Sequence, residues 1–321
     1  MAGLEYLVND TYAPPTLIQA MVSNGDIDRE AYSLYLNDQN NGNGVIIFGG
    51  VDSTKYTGEL VALQTLPTDN GFSDYSAFNV ALTGISIKDE SGTRLLTGPD
   101  FATPALLDSG TTMTYLPEGV FNQISGGFGV VESYVPCSWV RSTASLIYHF
   151  GGEGGPSISV PLSAMMDLPD GSMYDDGTEA CYLNVDVESE GSATLGDSFM
   201  RSGYFVYDLE NNVVAIAQVA ANVTDEAITA ISSGTAIPGC TSTNTLIITE
   251  TAAPTQLGPM ETASSSVGGD VLPGTPTFAL GSAATAGATG GTMQPPSDAA
   301  VNLRAGGWTL ALAVAVGVFV L

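Results

Sequence analysis

Short apolar runs separated by turn-forming residues fill the first 239 residues of this chain, and they limit the folds that it can adopt. Val, Ile, Leu, Tyr and Phe are frequent there, and Gly, Asn or Asp interrupts them at short intervals. Runs of β-branched and aromatic residues bounded by turn residues are typical of β-strands. The sequence therefore predicts an all-β fold built from many short strands.

The composition changes near residue 240. Thr, Ser, Ala, Gly and Pro dominate residues 240–303, which contain almost no aromatic side chains. Such a segment cannot bury enough apolar surface to offset the entropy lost on ordering, and its Ser/Thr content is typical of an O-glycosylated stalk. We therefore predict a disordered stalk and assign residues 223–303 to it, after the last predicted strand.

The C-terminal residues 304–321 form an apolar tail with no charged residue after Arg304. The apolar part is only about fourteen residues long, whereas a membrane-spanning helix needs about 20. Small residues around Ser297 precede the tail by a short spacer, which is the pattern of a glycolipid-anchor signal. The sequence predicts a lipid anchor attached near Ser297; an ordinary tail anchor is the alternative.

The N-terminal residues do not match such a C-terminus. Glycolipid anchors are attached in the secretory lumen, and entry there requires a signal peptide with a basic start and an apolar run. Residues 1–6 have neither feature. We therefore expect the natural protein to contain further sequence before Met1.

The chain is strongly acidic, with 7 basic and 34 acidic residues and a formal net charge of −27. Nucleic-acid binding is excluded because phosphate contacts require clustered Lys and Arg. The charge fits solubility in an acidic extracellular setting, and steering of basic substrates is the sharper alternative. The 3 cysteines are an odd number, so one thiol is free or paired elsewhere.

Residues 108–112, Asp-Ser-Gly-Thr-Thr, follow an apolar run at 105–107. A carboxylate at the end of an apolar strand, followed by a Gly turn lined with hydroxyls, is held in a fixed and partly dry place. Burial raises a carboxyl pKa, and hydroxyl donors favour the charged form. Two carboxyls that share a proton are the reactive groups of an aspartic protease. Asp-Ser-Gly or Asp-Thr-Gly occurs once here, although the chemistry needs two, and an ordinary turn Asp is the alternative.

Other kinds of site have weaker support. His149 is the single histidine and lies in a strand-like run, so Ser-His-Asp catalysis is not expected. One His and three scattered Cys give no metal-ligand spacing, and we predict no metal and no cofactor. Asn9 and Asn222 each begin an N-glycosylation acceptor sequence, and Asn222 is the better candidate because it follows the last predicted strand.

Several stretches in the same order resemble the C-terminal lobe of pepsin-like aspartic proteases. Together they cover roughly residues 2–220, and the stalk and anchor pattern are most similar to the fungal surface-anchored, yapsin-like branch. The matching stretches are DSGTT at 108–112, VIIFGGVD at 45–52, KYTGEL at 55–60, LGDSFMR at 195–201, YFVYD at 204–208 and VVAIAQ at 213–218.

The resemblance implies roles for individual residues. Asp108 would be the second catalytic aspartate, Ser109 would join the hydrogen-bonded grip between the two active-site loops, and Gly110 would let the backbone pass close to the carboxylates. Thr111 would bond the outer carboxylate oxygen, and Thr112 would touch the substrate backbone. Cys137 and Cys181 occupy the places of the usual disulfide of that lobe, and residues 194–196 fall where the chain crosses the active-site loop.

The resemblance also implies a bilobal all-β architecture. Residues 1–60 would be a remnant of the N-terminal lobe with the interlobe segment, and residues 61–222 a complete C-terminal lobe. The family's first Asp-Thr-Gly and its flap have no match, so we expect a truncated N-terminal lobe whose strand at 45–48 exposes an apolar edge.

The implied function is that of an aspartic endopeptidase at the cell surface or wall. It would act on protein or peptide substrates, would be a monomer in its complete form and would be held to the membrane by the lipid anchor. The alternative is an inactive protease-like binding or wall protein. A homodimer that pairs two Asp108 residues is a third possibility.

Overall fold

The structure is a computed structural model that describes residues 15–37, 44–67, 75–167, 169–188, 191–246, 248, 278, 311–313 and 318–320. Strands dominate, so the predicted all-β class is confirmed. The strands are β1 Ala31–Tyr35, β2 Val45–Phe48, β3 Gly50–Asp52, β4 Tyr56–Gln64, β5 Asn79–Asp89, β6 Gly92–Leu95, β7 Thr103–Leu107, β8 Thr114–Pro117, β9 Tyr134–Pro136, β10 Ser145–Phe150, β11 Ser157–Pro161, β12 Ala180–Tyr182, β13 Val185–Glu188, β14 Ala193–Leu195, β15 Gly203–Asp208, β16 Val213–Val219, β17 Ile228–Ala230, β18 Cys240–Asn244, β19 Ala311–Ala313 and β20 Val318–Val320. The helices are α1 Leu17–Asn24, α2 Glu118–Phe128 and α3 Asp197–Met200, with 3-10 turns at Cys137–Arg141 and Leu162–Ala164.

Helix α1 has sequence-encoded ends. Thr16 is its N-cap and forms a capping box with Gln19, in which each side chain accepts a hydrogen bond from the backbone N–H of the other. Gly25 ends the helix in the left-handed region, with φ 78°, a conformation that costs glycine little. Ile18 is the side chain that the helix buries.

The first sheet has the strand order β18-β4-β16-β15-β1-β2-β20-β19. Its central strand β16 is buried on both faces, because successive side chains of a strand point in opposite directions. Val214 and Ile216 belong to the main core, whereas Ala215 and Ala217 belong to a second cluster on the other face. This sheet is therefore an internal layer.

The second sheet has the order β11-β10-β5-β7-β14-β8-β13, with β6 paired to the outer part of β5. Strand β14 lies between β7 and β8 and is parallel to β7. Leu107 at the end of β7 and Leu195 at the end of β14 are register partners and both join the main core. The chain that leaves β7 therefore begins its turn directly beside the end of β14.

The ordered region continues beyond residue 222, although the sequence predicted a stalk from 223. Strand β17 pairs with β3, and β18 runs parallel to β4. Ile231 and Ile237 are buried in the second cluster. Lys55 donates hydrogen bonds to the carbonyls of Val223 and Asp225, 2.9 Å each, which fastens the start of this segment. Pairing with the edges of β3 and β4, together with hydrogen bonds from the buried Lys55, thus orders residues that the composition predicted to be part of a stalk.

The apolar edge expected at β2 is covered, so that expectation is wrong. Ile46, Ile47 and Phe48 are buried. The β2 backbone pairs with β1 on one side and with β20 on the other. In the described part of the chain no helix is both long and apolar enough to cross a membrane.

The disulfide implied by the resemblance is present between Cys137 and Cys181, which lie 44 positions apart. It joins the first 3-10 turn to β12. A cross-link of this kind typically contributes about 2–4 kcal/mol to stability. Within the described residues Cys240 is a free thiol.

Candidate active site

The turn formed by residues 108–112 is fixed by backbone hydrogen bonds to β14. The Asp108 N–H donates to the Leu195 carbonyl at 3.1 Å. The Thr111 N–H donates back to the Asp108 carbonyl at 3.2 Å, which closes a tight turn. The position of Asp108 therefore follows from the packing of β7 against β14.

Both carboxylate oxygens of Asp108 accept hydrogen bonds from its own turn. The Gly110 N–H donates to Oδ1 at 2.9 Å, and the Thr111 hydroxyl donates to Oδ2 at 2.6 Å. These two donors fix the orientation of the carboxylate. The Asp108 side chain is half-buried, and Ser109, Gly110 and Thr112 are exposed. All five residues that the sequence singled out here therefore form one turn, with the carboxylate at its open side.

Gly196 lies directly beneath this turn. A Cβ at this position would come within 2.3 Å of the carbonyl oxygens of both Thr111 and Met113, so only glycine fits. The next two N–H groups support the turn as well: Asp197 donates to the Thr111 carbonyl at 2.8 Å, and Ser198 donates to the Thr112 carbonyl at 3.1 Å. The start of α3 thus holds the turn from below.

A buried hydroxyl pair locks α3 to β8. The Thr114 and Ser198 hydroxyl oxygens are 2.8 Å apart, and the Ser198 hydroxyl donates to the Asn184 carbonyl at 3.0 Å. Both side chains are buried, so the network is costly to disrupt. Sequence reasoning missed this pair, because an isolated Ser or Thr carries no pattern that marks it as a structural support.

Asp197 is a second carboxylate near Asp108, and sequence reasoning gave it no separate role. Its Oδ2 lies 3.1 Å from the Arg201 guanidinium. Its Oδ1 is buried and has no hydrogen-bond partner among the described residues. Burial raises the pKa of Asp197; Arg201 opposes this, and the negative charge of Asp108 adds to it. The signal that could have found it is an acid and a base four residues apart at the start of a short helix.

The raised pKa of Asp197 predicts a specific pH dependence of stability. Above its ordinary value of 3.8, the folded protein keeps the Asp197 proton that the unfolded chain has released. The folded state binds more protons in this window, so the stability that Asp197 contributes falls as pH rises through it. We expect Asp197→Asn to flatten the decline in urea midpoint that begins above about pH 4 in the wild type.

Asp170 is a matched control of opposite sign. Its carboxylate accepts hydrogen bonds from Ser172, and these lower its pKa. The stability that Asp170 contributes is therefore present above the unfolded pKa and is lost on acidification. Asp170→Asn should therefore reduce the loss of stability below about pH 4 and leave the profile above that pH unchanged, whereas Asp197→Asn acts above it. Parallel profiles for the wild type and Asp197→Asn would contradict the raised pKa.

An aromatic cluster lies behind the turn. Tyr207 stacks on Tyr32 with ring centroids 4.7 Å apart and contacts Phe78 at 4.6 Å. Burial raises the pKa of Tyr207, and the charge of Asp108 raises it further. The carboxylate therefore has hydrogen-bond donors on its turn side and a neutral, apolar layer behind it.

Among the residues that the structure describes, His149 has no carboxylate partner of the kind that a catalytic triad requires. It lies on β10, where Nε2 is 2.9 Å from the Ser86 hydroxyl and Nδ1 is 2.8 Å from the Ser157 hydroxyl. Burial lowers its pKa. The two hydroxyl groups belong to the adjacent strands β5 and β11. His149 is therefore a strand residue, as the sequence predicted. Across the described ranges, no group of three or more His, Cys, Asp and Glu is arranged to hold a metal ion.

The remaining predicted sites lie away from this turn or outside the described residues. Asn222 is exposed, with φ 61°, and its N–H donates to the Asn37 side-chain oxygen at 3.1 Å. Asn9 and Ser297 fall outside the described residues.

Comparison with known proteins gives a family match and several fungal relatives. The family model described as "Eukaryotic aspartyl protease" matches residues 1–219. The "Probable aspartic-type endopeptidase opsB" of Aspergillus oryzae is 38% identical over 255 residues, which cover 74% of this chain and 51% of the relative. "Aspartic proteinase 3" of Saccharomyces cerevisiae is 38% identical over 233 residues, 69% of this chain and 39% of the relative. "Secreted aspartic protease 8" of Candida albicans is 37% identical over 199 residues, 61% of this chain and 42% of the relative. The chain spans about half the length, or less, of these curated relatives.

Proposed function

Because this chain belongs to the eukaryotic aspartyl protease family, we propose that it supplies Asp108 as one of the two catalytic carboxylates of an aspartic-type endopeptidase. One observation carries the proposal: the Asp108 carboxylate is held by the Gly110 N–H and the Thr111 hydroxyl at the open side of a turn that β14 and α3 support. The substrate class is a protein or peptide chain. In the same proposal Ser109 links the two active-site loops and Thr112 contacts the substrate backbone.

The chemistry needs two carboxyl groups that share one proton. Like charges at close range cannot both ionise cheaply, so one group is ionised and the other protonated at acidic pH. The ionised carboxylate takes a proton from a bound water, whose oxygen attacks the peptide carbonyl carbon, while the protonated group donates to the carbonyl oxygen. The tetrahedral intermediate then collapses, and the departing nitrogen leaves with a proton from the dyad. The mechanism requires no metal or cofactor.

The second carboxylate is the part that these 321 residues do not provide in recognisable form. Asp-Ser-Gly or Asp-Thr-Gly occurs once in them, at Asp108. We propose that the partner carboxylate comes from chain outside this sequence and that the 321 residues alone do not hydrolyse peptide bonds. The same single motif favours the second candidate function, a protease-like binding or wall protein without catalytic activity.

A complementation assay separates the two candidates. The N-terminal half of the Aspergillus oryzae relative is fused ahead of this chain, and both proteins are assayed on a denatured protein between about pH 3 and pH 5, the acidic range in which a carboxyl dyad shares one proton. We expect cleavage that a statine-type inhibitor blocks in the fusion and none in the 321-residue chain. A folded but inactive fusion would favour the binding protein. Cleavage by the chain alone, with a rate that rises with the square of its concentration, would favour the homodimer.

We further propose that the protein belongs to the surface-anchored, yapsin-like branch and acts outside the cell. The support is the Ser/Thr-rich composition before the apolar tail, the small residues around Ser297 and the acceptor sequences at Asn9 and Asn222. When the chain is expressed in a fungal host behind a secretion signal, a phospholipase that cleaves glycolipid anchors should release it, and glycosidase treatment should lower its mass. Replacing residues 304–321 by a stop codon should yield secreted protein; retention of that shortened protein on the membrane would contradict the anchor.

A further inference from the structure

Phe278 lies well after β18 in the chain, in a stretch whose composition is typical of a stalk, yet its side chain is buried. Its side chain is 6% exposed. Its N–H donates to the Gly127 carbonyl at 2.9 Å. Its ring packs edge-on against Phe128 near the end of α2, with centroids 4.9 Å apart and an interplanar angle of 80°. One residue thus makes both a backbone and a ring contact with the same helix end.

Gly127 is shaped for this ring. A Cβ at position 127 would come within 2.0 Å of the Phe278 Cζ and within 2.1 Å of its Cε2. The ring therefore occupies the space that any other side chain at 127 would fill. The adjacent Gly126 has nothing within 4 Å of its Cβ position and is exposed, so these two neighbouring glycines differ in the side chains that they permit.

Arg94 covers the opposite side of the pocket. Its guanidinium carbon is 4.7 Å from the centroid of the Phe278 ring, within the range of a cation–π contact. Arg94 is held in place by the buried carboxylate of Asp89, 3.0 Å away. The floor is equally fixed: Phe128 contacts Trp139, whose Nε1 donates to the Phe128 carbonyl at 3.2 Å. Arg94 and Phe128 are thus each held by contacts that do not involve Phe278.

We propose that Gly127, Phe128 and Arg94 form a docking site for the aromatic side chain of Phe278, and that this contact is an intramolecular clasp. The chain after residue 222 is attached to the rest of the protein through β18, and the clasp attaches it again, further along the chain, to the end of α2. Its elements, α2 and β6, are separate from the turn at Asp108, so the inference does not depend on the proposed catalytic function. Phe278 is the sole aromatic residue between 240 and 303, which makes it the one side chain there that such a pocket would select.

A double-mutant cycle in the full 321-residue chain tests the clasp by a change of sign. Alanine favours a helix over glycine, so Gly127→Ala in a Phe278→Ala background should raise the Tm by about 2–4 °C. In the wild type the same substitution expels the ring and should lower the Tm. Gly126→Ala is the matched control and should raise the Tm in both backgrounds. Equal effects of Gly127→Ala in the two backgrounds, of either sign, would overturn the proposal.

Hydrogen exchange provides a second readout, and its first measurement needs only the wild type. The Phe278 amide of the wild type should exchange slowly, and Gly127→Ala should remove that protection while Gly126→Ala keeps it. Fast exchange of this amide in the wild type would overturn the clasp. The protection of this amide should not change when the protein is diluted. If the protection is lost on dilution together with a dimer, Phe278 docks on a second copy of the chain, and the intramolecular clasp is wrong.

Discussion

Asp108→Asn is expected to abolish peptide hydrolysis in the fusion with the N-terminal half of the Aspergillus oryzae relative. The substitution keeps the shape of the side chain and its acceptor for the Gly110 N–H, but it removes the negative charge that activates water. Positioned acid–base groups typically contribute about 10²–10⁴-fold to the rate. We expect kcat/KM to fall by at least that range, with the Tm little changed, because the turn is held by backbone contacts to β14 and α3.

Asp100→Asn is the matched control, since Asp100 is an exposed aspartate eight positions earlier in the chain. It removes the same charge and should leave kcat/KM within about twofold, as surface substitutions away from a site have small effects. Full activity in Asp108→Asn would refute the catalytic assignment. A loss of activity with a much lower Tm would show that Asp108 holds the turn and would leave catalysis to another group.

The same substitution should also change Asp197. The negative charge of Asp108 is one of the causes that raise the pKa of Asp197, so its removal should lower that pKa toward the ordinary value. The pH-dependent decline in stability attributed to Asp197 should then become smaller in Asp108→Asn than in the wild type. The two carboxylates of the described site are thus coupled.

The turn at Asp108 was predictable because its signals are local. An apolar strand, a carboxylate and a Gly-containing turn follow one another in the sequence. The pairing of β7 with β14, which positions the turn, joins residues far apart in the chain and is not such a local signal. The burial of Asp197 was not predictable in this way, because it depends on α3 passing beneath a turn that is distant in the chain. The local sequence pattern shows that an acidic residue is present, but not whether its side chain is exposed or buried.

The limits of the ordered region were mispredicted for a different reason. Residues 240–244, Cys-Thr-Ser-Thr-Asn, have a polar composition that is typical of a stalk. They form β18 because the edge of β4 offers unpaired N–H and C=O groups, and backbone hydrogen bonding depends little on side-chain polarity. Composition reports how much apolar surface a segment can bury. It does not report whether an open strand edge lies within reach.

A buried ion pair lies at the end of the β1–β15 pair in the first sheet and also binds the loop between β17 and β18. Arg29 precedes β1, Asp208 ends β15, and the guanidinium Nη1 lies 2.8 Å from the carboxylate Oδ2. Each side chain is no more than 3% exposed. The Arg29 Nη2 also donates to the Thr235 carbonyl, and Asp208 accepts a hydrogen bond from the Asn211 side chain at 2.8 Å. The pair therefore joins two strands and the loop between β17 and β18.

Asp208→Asn should destabilise the protein by about 3–5 kcal/mol, the usual cost of breaking a buried ion pair. It leaves the buried Arg29 charge with only the half-exposed Glu210 carboxylate, 3.9 Å away, as a counter-charge. The double variant Arg29→Met/Asp208→Leu removes both charges and should lose much less than the single variant, since apolar replacements of a buried pair are often close to neutral. Urea unfolding of the full chain gives both values.

Glu179→Gln provides the surface comparison. Glu179 lies 3.7 Å from Arg141, and their side chains are 50% and 68% exposed. Solvent screens such a pair, so the substitution should cost no more than about 1 kcal/mol. If Asp208→Asn costs as little as Glu179→Gln, then water reaches Arg29 and the site is not dry. If the double variant loses as much as the single one, then the hydrogen bonds to Thr235 and Asn211, and not the charges, hold the strands and the loop together.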